Sequence, residues 1–204
     1  MRDKTLRLPF SLLLLCLPSL ALGQAVDPNE VPKELQPFTA KNESVLAYEY
    51  ADLNGDGTRD VVFIVEPKFA ENDPRAREDE GVRTLKIAIR ARGGELKVVK
   101  ENRKVAFCRS CGGTYGDPFE GLSAGGKGFS VSHYGGASWR WLNTFSFAYS
   151  RRDNTWQLVE VEESGFDVSD PDAMETKTYK PPRHFGKIDI ADFDPRKYRG
   201  VGKK

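Results

Sequence analysis

The sequence predicts an all-β domain built from antiparallel sheets, and three observations carry that reading. Short runs of β-branched and aromatic residues recur after residue 38. Several alternate apolar and polar side chains, and glycine or Asp-Asn turns separate them. No window offers a three-turn amphipathic helix.

The elements follow in order. Met1 to Arg7 is a short, net positive lead, followed by the apolar core Leu12-Leu13-Leu14-Leu15-Cys16-Leu17 and then Ala21-Leu22-Gly23. A basic stretch, a short apolar run and small residues two apart form a signal peptide over residues 1–23, with cleavage after Gly23. The apolar run is shorter than the roughly 20 residues a bilayer crossing needs, so the expectation is an exported protein, periplasmic or secreted, rather than a membrane-embedded one. The leader carries three Lys/Arg and one Asp, a net two positive charges, so its removal takes the formal net charge from +1 to −1. A nearly neutral chain has no bulk electrostatic reason to seek nucleic acid.

Residues 24–38, with three prolines and no period, read as a flexible linker, and residues 39–204 as a single β domain. Asp60-Val61-Val62-Phe63-Ile64-Val65 is a continuous apolar run, as in a strand buried on both faces. Pro67 to Gly81 is a charged insertion that reads as a mobile loop. Leu85, Ile87 and Ile89 alternate with Lys86, Ala88 and Arg90, and Gly93-Gly94 turns the chain into Leu96-Lys97-Val98-Val99. Phe129 to Tyr134 ends at Gly135-Gly136. The stretch from Trp139 to Tyr149 alternates again, and Asp153-Asn154 turns it into Trp156 to Val161.

Residues 52–60 carry the densest chemistry. Asp52, Asn54 and Asp56 stand at relative positions 1, 3 and 5, Gly57 at 6, the Thr58 carbonyl at 7 and Asp60 at 9. A chain that wraps a hard cation returns an oxygen every second residue and bends where glycine tolerates positive φ. The alternative is an Asx-rich turn without metal. An EF-hand is excluded, because position 12 is Phe63 rather than a bidentate glutamate. The pattern Asp-x-Asn-x-Asp-Gly-x-x-Asp, running straight into an apolar strand, resembles the loop of FG-GAP and VCBS-type β-propeller repeats. That resemblance covers Tyr48 to Val65 and implies a calcium ion with a structural role. A propeller repeats its blade at least four times, whereas only one intact loop is present. Ala191-Asp192-Phe193-Asp194 is at most a decayed copy. The expected architecture is therefore a truncated, propeller-blade-like sheet or a small β-sandwich.

Loss of Cys16 with the leader leaves Cys108 and Cys111, an even pair that reads as a disulfide in an oxidising compartment. A redox centre would need the thiolate activated at a helix start, and Gly112-Gly113 and Gly116-Asp117-Pro118 cannot propagate a helix. Zinc would need two more ligands at a recognised spacing, which His133 and His184 do not supply.

The candidate binding surface is His133, Tyr134, Trp139, Arg140 and Trp141. On a strand, Trp139 and Trp141 share a face with Phe145 and Phe147, while Arg140 lies opposite. Aromatics beside a histidine and an arginine suit stacking on a sugar ring or gripping a peptide, and the competing reading is that the stripe is core. The set Cys-x-x-Cys-Gly-Gly-x-x-Gly-Asp-Pro-Phe, His-Tyr-Gly-Gly and Trp-Arg-Trp, from Ala106 to Leu158, also resembles a group of uncharacterised secreted bacterial proteins. That likeness implies a shared domain but brings no activity with it.

Three functions compete. The chain reads first as a non-catalytic, calcium-stabilised binding or adaptor domain of the bacterial envelope, taking a protein or carbohydrate. The second is a periplasmic inhibitor or immunity-type protein that uses Pro67–Gly81 as a plug. The third is a hydrolase drawing on Ser132, Ser138, His133 and His184, although no Gly-x-Ser-x-Gly elbow or His-Glu-x-x-His motif appears.

Overall fold

A computed structural model describes residues 31–69 and 81–203. The leader over residues 1–23 and most of the charged insertion lie outside the described residues. Among the described residues, nine antiparallel strands form two sheets. The first holds β1 (Glu43–Ala51), β2 (Asp60–Pro67), β3 (Thr84–Arg90) and β4 (Leu96–Asn102), in that order. The second holds β5 (Phe119–Gly125), β6 (Gly128–Gly136), β7 (Trp139–Ser150), β8 (Thr155–Asp167) and β9 (Asp170–Tyr179), also in chain order. Each sheet is a meander, so short turns rather than crossovers set the pairing. The all-β, antiparallel prediction holds.

The two sheets bury one core between them. Val62, Ile64, Leu85 and Ile87 from the first sheet pack with Leu122, Phe129, Val131, Phe145, Phe147, Leu158 and Val161 from the second. Alternation puts every second residue of β6 inside, from Phe129 through Val131 to His133. A segment after β9 completes this core. Residues 180–203 form no strand, yet Phe185, Ile188, Ile190, Phe193 and Tyr198 are all buried in it. The cis Pro181–Pro182 bond lies near its start, and the Gln157–Asp189 bridge aligns it beside β8.

β2 is buried on both faces, as its continuous apolar run predicts. Its second face sits under a smaller cluster of Val45, Val61, Phe63, Val65 and Ala88, capped by Leu35. That cap departs from the linker reading. Lys33–Phe38 is a 3-10 turn whose Leu35 is fully buried, with Phe38 against the Phe63 ring at 6.3 Å. Glu34 pins it by pairing with Arg90 at 2.9 Å and accepting the Tyr50 hydroxyl at 2.6 Å, and Lys86 Nζ donates to the Phe38 carbonyl. One leucine in a proline-rich stretch has no period, so only tertiary burial shows its role.

Candidate functional site

The acidic loop joins β1 to β2. Asp52 folds back on it: Oδ1 accepts the amides of Gly55 and Asp56 at 2.7 and 3.1 Å, and Oδ2 accepts that of Gly57 at 3.0 Å. Asn54 accepts the Asp56 amide, and Asp56 accepts that of Thr58 at 2.7 Å. Gly55 and Gly57 take the positive φ such a turn requires. Leu53 points the other way into the core, and the indole of buried Trp156 donates to its carbonyl at 2.9 Å. Phe193 is buried in the same core from the degenerate 191–194 stretch.

Asp60 does not share the loop's exposure. It is fully buried, and its two oxygens accept the amides of Leu53 and Arg90. Burial raises its pKa despite those bonds, and the like charges of Asp56 and Asp52 add to the effect. Its carboxylate ties the loop to β3. A cation would therefore be held by Asp52, Asn54, Asp56 and the Thr58 carbonyl, where an oxygen bonded to one amide keeps a second lone pair. The protein also brings its own cations: Lys127 lies against Gly55, and Arg151 donates to the Gly55 carbonyl at 3.2 Å. Among the described residues no group of three or more His, Cys, Asp or Glu side chains is arranged to hold a metal ion.

Cys108 and Cys111 form a disulfide that closes an irregular loop after β4. The loop docks on the end of β6, with the Gly136 amide donating to the Gly112 carbonyl and the Tyr134 amide to that of Pro118. Any Cβ at Gly112 would sit 2.3 Å from the Gly116 oxygen, so only glycine fits that approach. Beneath the loop lies a network the sequence did not reveal. The buried guanidinium of Arg83 binds Asp117 through both terminal nitrogens and Glu66 at 2.9 Å, and donates to the Phe107 carbonyl. Arg109 closes onto Glu66 at 2.8 Å. Burial alone would raise the Asp117 pKa, but the Arg83 bonds more than offset it and hold the group below the usual carboxylate range. The Gly116-Asp117-Pro118 stretch was the one available signal.

The five residues of the aromatic candidate surface separate into three environments. His133 is a correction: it is buried, because it continues the inward series of Phe129 and Val131. Its ring stacks on Phe107 at 4.2 Å, and its Nε2 accepts the Phe107 amide at 3.2 Å. Burial, with Arg83 close by, lowers its pKa to about 3. Trp139 and Trp141 continue the inner face of β7 outward from Phe147 and Phe145, past the end of the core. Trp141 is half-buried over Gly135, whereas Trp139 is 54% exposed and seated on Gly165. Both rings use space that a glycine on the adjacent strand leaves free, an arrangement that fixes an aromatic without enclosing it.

The opposite face carries Tyr134 and Arg140. Arg140 lies over the Tyr115 ring at 5.3 Å and the Tyr134 ring at 5.9 Å, and the two tyrosines meet edge-to-face at 4.6 Å. Tyr115 is 47% exposed and comes from the disulfide loop. The sequence reading missed it, because its place depends on how that loop docks. The strands β7 to β9 thus form an arm with tryptophans on one side and Arg140 on the other, where Tyr134 of β6 and Tyr115 of the disulfide loop complete a Tyr-Arg-Tyr group. Exposed Val168 and Met174 complete its outer end, where the Val168 amide donates to the Ser138 carbonyl.

Neither histidine is paired with a serine. Ser132 hydrogen-bonds Thr144, and His184 Nδ1 accepts the Lys180 amide. No helix among the described residues is long and apolar enough to cross a membrane. No protein-family model matches the chain, and neither a curated protein nor a solved structure shows significant similarity to it.

Proposed function

We propose that this small, disulfide-bonded all-β domain is an exported, non-catalytic binding or adaptor domain of the bacterial envelope, and that it grips its ligand with the β7–β9 arm. One observation carries the reading: Trp139 stands more than half exposed on a regular strand, held in place by Gly165. Large aromatics are normally buried. A rigid exposed indole, with a Tyr-Arg-Tyr group on the opposite face of the same arm, provides flat apolar area at low entropic cost, which suits a sugar ring or a peptide.

Calcium at residues 52–60 belongs to the same proposal, as a staple between β1 and β2. The alternate spacing of Asp52, Asn54 and Asp56 supports it, together with their position on the outer side of the loop. Extracellular modules bind calcium at about 10⁻⁴–10⁻³ M, so such a site stabilises rather than signals.

The arm is tested by screening wild type and Trp139→Ala against soluble cell-wall oligosaccharides and a displayed peptide library. Capture by wild type and loss in the variant, at unchanged melting temperature, is the expected result. A wild type that captures nothing, or a variant that binds equally well, overturns the proposal. Calcium is tested by thermal unfolding in millimolar calcium and in chelator. The expected rise of several degrees should be absent in Asp56→Ala.

A further inference from the structure

The disulfide loop does more than hold Tyr115 in place. Cys108 and Cys111 form part of the wall of an open groove of about 480 Å³, which also takes in Val82, Ala106, Phe107 and Pro195. Cys111 is exposed and Cys108 half-buried. A disulfide that only staples a fold is protected by burial, whereas one on a groove wall can be reached by an incoming thiolate. The Ser110 hydroxyl lies 3.4 Å from the Cys108 sulfur, where it donates to that atom and would stabilise negative charge on it.

The groove's charge indicates what would enter. Among the described residues, Arg103, Lys104 and Arg196 line it against the one carboxylate of Asp194. Lys104 and Arg196 both reach Asp194, at 3.2 and 3.4 Å, so that one carboxylate is shared and positive charge remains in excess. Arg83 is already neutralised by Glu66 and Asp117. A concave site with an apolar floor and a cationic rim favours an anion carrying some apolar body.

We infer that Cys108–Cys111 is a thiol–disulfide exchange site for small thiols that carry carboxylate groups. The thiolate attacks the accessible Cys111 sulfur and forms a mixed disulfide with it. The Cys108–Cys111 bond breaks, and its electron pair leaves on Cys108 as a thiolate beside Ser110. A second thiolate then attacks the ligand sulfur of the mixed disulfide and releases Cys111 as a thiolate. Two thiols are thereby oxidised to one disulfide, and the protein disulfide is reduced to two thiols. The Arg83–Glu66–Asp117 network holds the loop through side chains and the Phe107 carbonyl, independently of the sulfur bond. Reduction should therefore leave the fold intact.

The test incubates the full-length mature chain with reduced glutathione, which is anionic, or with cysteamine, which is cationic. Free thiols are counted by alkylation and mass spectrometry, and rates are compared per thiolate. Glutathione is expected to react about tenfold faster, and combining Arg103→Ala with Arg196→Ala should remove that preference. Both side chains are exposed, so the variant should melt as wild type does. The glutathione adduct should map to Cys111, with the reduced protein keeping its near-ultraviolet circular dichroism. A disulfide that survives about 10 mM glutathione, equal rates for the two thiols, or unfolding on reduction each overturns the inference.

Discussion

Asp117 holds the guanidinium of Arg83 with two parallel hydrogen bonds across 34 residues of chain, where the disulfide loop meets the two sheets. Arg83 has no exposed side-chain surface, whereas Asp117 keeps 39% of its own. The arginine is therefore the costlier member to lose. Its removal leaves Asp117 without its bidentate partner and Glu66 with only the exposed Arg109 as counter-charge. Arg83→Ala should destabilise the chain by about 3 kcal/mol in urea unfolding. Combining Arg83→Met with Glu66→Gln and Asp117→Asn should recover most of that, since no buried charge remains. A triple variant as unstable as the single one would show that packing, not charge, dominates.

His133 makes stability depend on pH. Its folded pKa of about 3 lies below its ordinary value of 6.5, chiefly through burial, so the unfolded chain binds the proton more readily. The contribution is complete above about pH 6.5 and is lost as pH falls toward 3. Arg83 and Asp117 act on the ring with opposite signs, and Asp117 is itself held below the usual carboxylate range, its burial being more than offset by the Arg83 bonds. Comparison with His133→Phe isolates the histidine. The variant should be less stable at pH 7, because the Phe107 amide loses its acceptor, and the gap should narrow by about 3 kcal/mol at pH 4. A gap that stays constant between those pH values would show that the ring is not buried neutral.

The 3-10 turn ahead of β1 should prove integral to the domain. Leu35→Ala is expected to cost about 2–4 kcal/mol, the usual range for emptying a buried leucine site. A chain beginning at Thr39 should lose stability further and expose the outer face of β2 to a hydrophobic dye. Unchanged unfolding of both proteins would return residues 33–38 to the status of a linker.

Gly165 should behave as part of the arm although it carries no side chain. A Cβ there would lie 2.7 Å from the Trp139 ring, so Gly165→Val must displace the indole. Acrylamide quenching of tryptophan emission should rise while the melting temperature moves little, because Trp139 contributes little to the core. Unaltered quenching would mean that the ring does not rest on this strand.

Much of the architecture was legible because strands declare themselves by period. The run from Val61 to Val65 announced a doubly buried strand, and the alternation of β7 placed Trp139 and Trp141 opposite Arg140. The same rule could have placed His133 inside with Phe129 and Val131, but its polarity argued for the surface. Period cannot say where the facing sheet stops, and that limit alone separates exposed Trp139 from buried Phe145. Leu35, Arg83 and the residues from Phe185 to Tyr198 were illegible for another reason. Each lies in an aperiodic stretch or at a strand entry, and acquires its role only from chain that is distant in sequence.

That last group has a consequence for how the protein comes into being. Phe185, Ile188, Ile190, Phe193 and Tyr198 fill the space between sheets whose strands all precede them in the chain. A ribosome delivers the chain from its N-terminus, so the strands of both sheets emerge before the side chains that seal them together. Until Tyr198 is free, the sheets face each other across an unfilled gap. The core therefore closes only once the segment after β9 has arrived.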